Sequence, residues 1–141
     1  MKTYYLAYGS NLNVEQMKYR CPNALRMGKI MLQDYELEFR YYLTIVPKKG
    51  ASVPIGVWMV DEDDERRLDY YEGYPTFYRK EYVDIEIHNQ KVKALVYIMN
   101  DVRSVMAPSK VYLETCAEGY DNFDMDITPL KEAYQKSLKR N

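Results

Sequence analysis

Short runs of β-branched and aromatic residues, each stopped by glycine, proline or asparagine, recur along this chain and leave room for short helices only. Thr3–Tyr8 ends at Gly9 and reads as a buried strand. Arg26–Leu32 and Tyr35–Tyr42 follow, the second placing Leu37, Phe39 and Tyr41 on one face. Val46–Gly50 reads as a loop and Ile55–Val60 as a compact apolar strand. Tyr82–Ile87 and Val92–Met99 read as alternating strands joined by His88-Asn89-Gln90-Lys91, with the lone histidine a surface strand residue. Between these runs the helix signals are local. Asn13, with Gln16 three residues on, can cap a helix carrying Val14, Met17 and Cys21 that stops at Pro22. Asp61–Tyr71 has acids in its first turn, Gly73 where a left-handed cap belongs, and Pro75 beyond. Ser109 can cap a helix carrying Tyr112 and Cys116. Thr128-Pro129 opens a last helix, with Thr128 as cap, whose end at 139–141 is expected to fray. Strands in series with helices dropped between them predict an α+β fold, a mixed or antiparallel sheet curled towards a barrel.

Composition narrows the function. A chain of 141 residues predicts one domain. Its net charge of −1 offers no basic field for nucleic acid. Two cysteines cannot build a disulfide framework, and with one histidine a zinc site would need carboxylates for most of its ligands, so no metal is expected. Met1–Tyr5 reads as the start of a strand and not as a signal peptide. The apolar run Ala94–Met99 is far shorter than the roughly 20 residues that span a bilayer. The expectation is a cytoplasmic protein with no nucleic-acid or membrane partner.

The segments with chemical promise are few. Tyr8-Gly9-Ser10-Asn11-Leu12 joins a strand to a helix start, where glycine admits a close ligand and backbone amides can hold a carboxylate or an oxyanion. The plain alternative is an ordinary turn with Asn11 or Asn13 as cap. Glu72 lies four residues after Leu68 and so shares its helix face. At a helix C-terminus it meets the negative end of the dipole, which together with partial burial raises its pKa and suits a general base. The alternative is a glutamate leaning into solvent. Asp61–Glu65 reads as a solvated first turn and not as a metal site. Most of the 16 tyrosines belong to core and half-buried strand positions. No GxSxG, GxGxxG or P-loop is present.

Tyr5–Leu12 and Leu68–Gly73, taken together and in order, resemble the two signatures of the γ-glutamylcyclotransferase-like superfamily. Ala94–Met99 and Pro108–Tyr112 match later, weaker positions, so the similarity runs over about residues 4–120. The resemblance implies a compact mixed β-barrel flanked by helices. It also implies an intramolecular aminolysis that needs no cofactor and releases 5-oxoproline from a small γ-glutamyl substrate. By position, Glu72 matches the catalytic acid/base, and Tyr8, Gly9, Ser10, Asn11 and Leu12 match the substrate-cradling loop. Tyr78, Tyr97 and Tyr112 match pocket tyrosines. Tyr-Gly-Ser-Asn at residues 8–11 differs from the Tyr-Gly-Thr-Leu of the γ-glutamylamine branch and the Tyr-Gly-Ser-Leu of the glutathione-degrading branch. It is closest to γ-glutamylcyclotransferases proper and to the related aminoglycoside-pathway enzyme. The stretch between Tyr42 and Pro54 is shorter than in animal members, so the resemblance leaves the leaving amine open. Two alternatives of another class remain: a non-catalytic binder of γ-glutamyl or acidic metabolites, and an interaction domain. Either a monomer or a homodimer is compatible with this reading.

Overall fold

The structure, a computed structural model, describes residues 2–101 and 103–139. Its strands are β1 (Thr3–Ala7), β2 (Leu25–Arg40), β3 (Tyr42–Val60), β4 (Tyr78–Ile87) and β5 (Gln90–Met99). The helices are α1 (Val14–Arg20), α2 (Glu62–Glu72), α3 (Lys110–Asn122) and α4 (Thr128–Leu138), with a 3₁₀ turn at Ser10–Leu12. One mixed sheet runs in the order β2-β3-β1-β5-β4. The short β1 sits in its middle, antiparallel to β3 and parallel to β5. A strand paired on both sides and covered on both faces must be apolar throughout, which is why Tyr5, Leu6 and Ala7 are all buried.

Long strands replace several of the short ones expected. Arg26–Leu32 and residues 35–40 belong to one continuous β2, which stops short of the expected end at Tyr42 because Tyr41, at a φ of 69°, turns the chain and Tyr42 opens β3. In turn, β3 runs straight through the expected loop at Val46–Gly50. Bulges absorb the loop-forming residues. The register jumps from Gln33↔Ser52 to Tyr35↔Pro47, so residues 48–51 form an excursion within the ladder. Asp34, at a φ of 69°, closes it by accepting the Gly50 amide at 3.0 Å. Local sequence marked the irregularity correctly, but pairing with β2 carried the strand across it.

The expected barrel is not closed: no ladder joins β2 to β4 among the described residues. The sheet nevertheless curls. The Met99 amide donates to Thr44 Oγ1 at 2.9 Å, and the Tyr78 hydroxyl donates to the Leu43 carbonyl at 2.8 Å, folding the far half of the β2–β3 hairpin over the ends of β4 and β5. At the opposite end, a Cβ on Gly28 would lie 3.7 Å from Ile87 Cδ1. The edges approach without exchanging backbone hydrogen bonds.

Smaller corrections have equally local causes. The β4–β5 turn holds only His88 and Asn89, both at positive φ (52° and 63°), so His88 is an exposed turn residue and not a strand residue. The strand β4 begins at Tyr78, four residues before the expected start at Tyr82. In β5 the expected alternation is absent. Ala94–Met99 are buried without a break, because the neighbouring strands and α2 cover both faces. The first helical residue of α4 is Thr128, and the preceding Asp126 accepts its amide at 2.9 Å, so the cap that Thr128 was expected to form is made upstream. The expected fraying at 139–141 falls mainly on residues outside those described. The caps at Asn13 and Ser109 form as expected, each accepting the amide three residues on, and Asp61, expected inside its helix, caps it instead by accepting the Asp64 amide.

Candidate functional site

Two backbone devices meet at the end of β1. One is the 3₁₀ turn that follows Gly9, in which the Leu12 amide returns to the Gly9 carbonyl at 3.0 Å and the Asn13 amide to Ser10 at 3.0 Å. The Gly9, Ser10 and Asn11 amides donate to no carbonyl or side chain among the described residues, as expected at the open end of a helical turn. The turn is clamped from behind by α3: Asn13 Nδ2 donates to the Thr115 carbonyl at 3.0 Å, and the Val14 amide to Asn122 at 2.9 Å. In front, the Trp58 indole donates to the Asn11 carbonyl at 2.9 Å. The Tyr120 hydroxyl donates to the Tyr8 carbonyl at 3.3 Å. Few rotations remain open to this segment.

The second device is the C-terminus of α2. Gly73, at a φ of 66°, returns its amide to Tyr70, and Glu72 is the last helical residue. Lys80 of β4 bridges Glu65 at 2.6 Å and Asp69 at 2.9 Å, while the Tyr97 hydroxyl donates to Asp69 at 2.6 Å. These bonds hold the final turn of α2 against β4 and β5. The acidic run ahead of it is less solvated than expected. Asp64 is wholly buried against Arg67 at 2.8 Å, and burial raises its pKa.

Between the two devices lies a cavity of about 230 Å³. Tyr8, Gly9, Ser10 and Asn11 line it, and so do Glu72, Tyr78, Tyr97 and Tyr112. Every site residue expected from the sequence thus converges there except Leu12. That side chain is fully buried and turns into the core against Gly56 and Gly119. The loop and the last turn of α2 are joined directly, since Ser10 Oγ and the Tyr71 hydroxyl lie 2.9 Å apart in a hydrogen bond. Glu72 does not lean into solvent. It is half-buried, and desolvation pushes its carboxyl up to about 8, against a smaller opposing pull from the Arg20 guanidinium.

Sequence reasoning passed over several residues of this site. Tyr5 lines the cavity and accepts a hydrogen bond from Asn11 Nδ2 at 2.9 Å. Tyr71 stands next to Glu72 within the second signature, the one available hint. Arg20 has no signal at all: it reaches back from the end of α1 to donate to Asn11 Oδ1 and to Gln16 at 3.0 Å. Its guanidinium also lies 3.4 Å from the centre of the Tyr71 ring, so one side chain ties α1, the loop and α2 together. Exchange of Arg20 for glutamine removes a cation that favours the Glu72 carboxylate. The Glu72 titration midpoint should move up by roughly half a pH unit, as read by carbon-detected NMR of the side-chain carboxyl.

The site pairs a carboxyl poised near neutrality with undirected backbone amides and a ring of tyrosine hydroxyls in a largely apolar wall. That set can move one proton and polarise one carbonyl. No helix among the described residues is long and apolar enough to cross a membrane. Known proteins resemble this chain in sequence and in fold. Gamma-glutamylcyclotransferase of Mus musculus is 28% identical over 152 residues, covering 96% of this chain and 76% of the mouse protein. The Bos taurus protein of the same name is 29% identical over 151 residues, covering 95% and 76%. A solved structure titled "Gamma-glutamyl cyclotransferase" superposes with a TM-score of 0.80 at 23% identity, covering 100% of this chain and 89% of that one. YkqA of Bacillus subtilis shares the fold at a TM-score of 0.79 and 17% identity, covering 98% of this chain and 55% of that one. The family model described as "Gamma-glutamyl cyclotransferase, AIG2-like" matches residues 5–118, and the chain belongs to that family.

Proposed function

We propose that the protein is a γ-glutamyl cyclotransferase in which Glu72 is the acid/base. The observation that carries this reading is the meeting of Glu72 with the Gly9–Asn11 amides in one cavity. The α-ammonium of a bound γ-glutamyl group gives a proton to Glu72, and the freed amine attacks the side-chain amide carbon. A bond forms between the α-nitrogen and that carbon, and the loop amides receive the charge that develops on its oxygen. The attacking nitrogen then gives up its second proton, and the bond to the leaving nitrogen breaks as Glu72 passes protons back to it, giving 5-oxoproline and a free amine or amino acid that departs as its ammonium form. In all, two protons move from the α-nitrogen to the leaving nitrogen, and the electron pairs balance without any co-reactant. A carboxyl that titrates near neutrality suits both halves of this cycle, since it must accept each proton and return it. The larger service is geometric: a flexible side chain is held folded onto itself, as effective-molarity arguments require. The walls suit that task, because Tyr8 and Tyr78 spend their hydroxyls on backbone carbonyls and present rigid ring faces to the cavity.

The test is 5-oxoproline release from a panel of γ-glutamyl compounds by the purified protein. Release supports the reading. Binding of the same compounds with no release would leave a metabolite-binding member of the family, and failure of both would remove the site from the chemistry altogether.

A further inference from the structure

One wall of the cavity continues as a cluster of aromatic rings, and a cation rests on it. The Tyr112 hydroxyl lies at the Gly9 turn, 3.2 Å from where a Cβ on that glycine would stand. The Tyr112 ring meets Tyr42 edge-on at 5.2 Å, and Tyr42 meets Phe77 at 6.2 Å. Tyr42, Phe77 and Tyr112 all line the cavity. On the outer side of this cluster, the Arg103 guanidinium lies 5.1 Å from the Phe77 ring centre, 5.8 Å from Tyr42 and 5.9 Å from Tyr41.

The segment that carries Arg103 is tied at both ends to the elements that carry the rings. Upstream, the Asn100 amide donates to the Phe77 carbonyl at 2.9 Å, and its side chain to Pro75 and Thr76 at 2.9 Å each. Downstream, Met106 donates to the Phe39 carbonyl at 2.9 Å and accepts the Tyr41 amide at 2.9 Å. Arg103 is thereby held over the aromatic cluster by the fold itself. It is exposed, and it makes no hydrogen bond or ion pair with any described residue. The other cations around the site are engaged. Arg20 is bonded to Asn11 and Gln16, Lys80 to Glu65 and Asp69, and Arg40 to Glu38 and Asp101. An arginine stacked on aromatic faces keeps its planar fork of donors free for a carboxylate, and the rings hold the guanidinium without neutralising it.

We propose that Arg103 and the Tyr42–Phe77 rings form a distal subsite that receives a carboxylate on the leaving half of the substrate. The subsite would favour γ-glutamyl amino acids and peptides over γ-glutamyl amines. This inference rests on the cyclotransferase reading above, with the γ-glutamyl head at the Gly9 turn and the leaving half directed towards Tyr42.

Matched substrates isolate the charge: γ-glutamyl-alanine and γ-glutamyl-alanyl-glycine, each beside its C-terminal carboxamide. For at least one length, the wild type should prefer the carboxylate by about tenfold in kcat/KM, carried by KM. The Arg103→Gln variant should bring that ratio close to one, and Arg103→Lys should restore part of it. A wild-type ratio near one at both lengths overturns the subsite, as does an equal loss for acid and amide in the variant. Calorimetric titration of the same four compounds separates the two readings. If no compound is turned over but the carboxylate preference in binding is present and disappears in Arg103→Gln, the subsite stands and the cyclotransferase reading falls. If turnover is seen with no charge preference, the reverse holds.

Discussion

Replacing Glu72 with glutamine should reduce 5-oxoproline release by about 100- to 10,000-fold, the range in which a positioned acid/base contributes. It should also make the protein more stable in alkali, and the two results come from one cause. Burial holds the Glu72 carboxyl at about 8 in the folded state, against an ordinary value of 4.5. Between those two pH values the folded protein keeps a proton that the unfolded chain has released. The unfolded state therefore binds fewer protons, and stability falls as pH rises through the window from about 4.5 to about 8. Glutamine keeps the shape and removes the titration. Urea melts of the two proteins should nearly coincide at pH 4, diverge through neutrality and differ by on the order of 3 kcal/mol at pH 9, with glutamine the more stable. A wild type more stable than the variant at pH 9 would mean that Glu72 is charged and paired, and the general-base assignment would lose its basis. The opposed effects on activity and stability are those of a group kept in a costly environment for chemistry.

Gly119→Ala should be the most damaging single methyl group in the chain. A Cβ there would come within 2.7 Å of the Asn13 nitrogen, the Leu12 carbonyl carbon and Leu12 Cβ. Two of these are backbone atoms, so no rotamer change relieves the clash. Either α3 moves off the turn or the turn moves into the cavity. Overpacking of this kind costs roughly 1–3 kcal/mol and occasionally more, and a value at or above the top of that range is expected in chemical denaturation. The Gly9–Asn11 amides should shift with the turn, so the remaining folded protein should show a lower kcat as well as a lower midpoint. A substitution with full stability loss and unchanged kcat would show that the turn is not held by α3. Gly56 offers a useful contrast. A Cβ there would meet Leu12 Cδ2 at 2.5 Å and the Phe123 ring at 2.7 Å, all side-chain atoms. Its alanine variant should lose stability with a smaller effect on turnover.

What the sequence determined by itself was everything written over a few residues. The caps at Asn13 and Ser109, the Gly73 stop and the apolar runs depend on neighbours in the chain, and they could be read without coordinates. The two signatures, Tyr5–Leu12 and Leu68–Gly73, pointed to Glu72 and to the Gly9 turn, and the structure brings both to one cavity. The orientation of Leu12 was not legible there. In the signature it follows the cradle residues directly, but the 3₁₀ turn rotates its side chain away from the cavity and into the core. The open edges of the sheet, the single β2 and the unbroken β3 were likewise decided by long-range pairing, which overrides the weak strand signals of residues 46–50. The same holds for the sites that no motif marks. Arg20 reaches Asn11 and Tyr71, and Arg103 reaches Tyr42 and Phe77, because separate elements converge on them. A side chain's partner across the fold is set by packing, and no local pattern of residues encodes it.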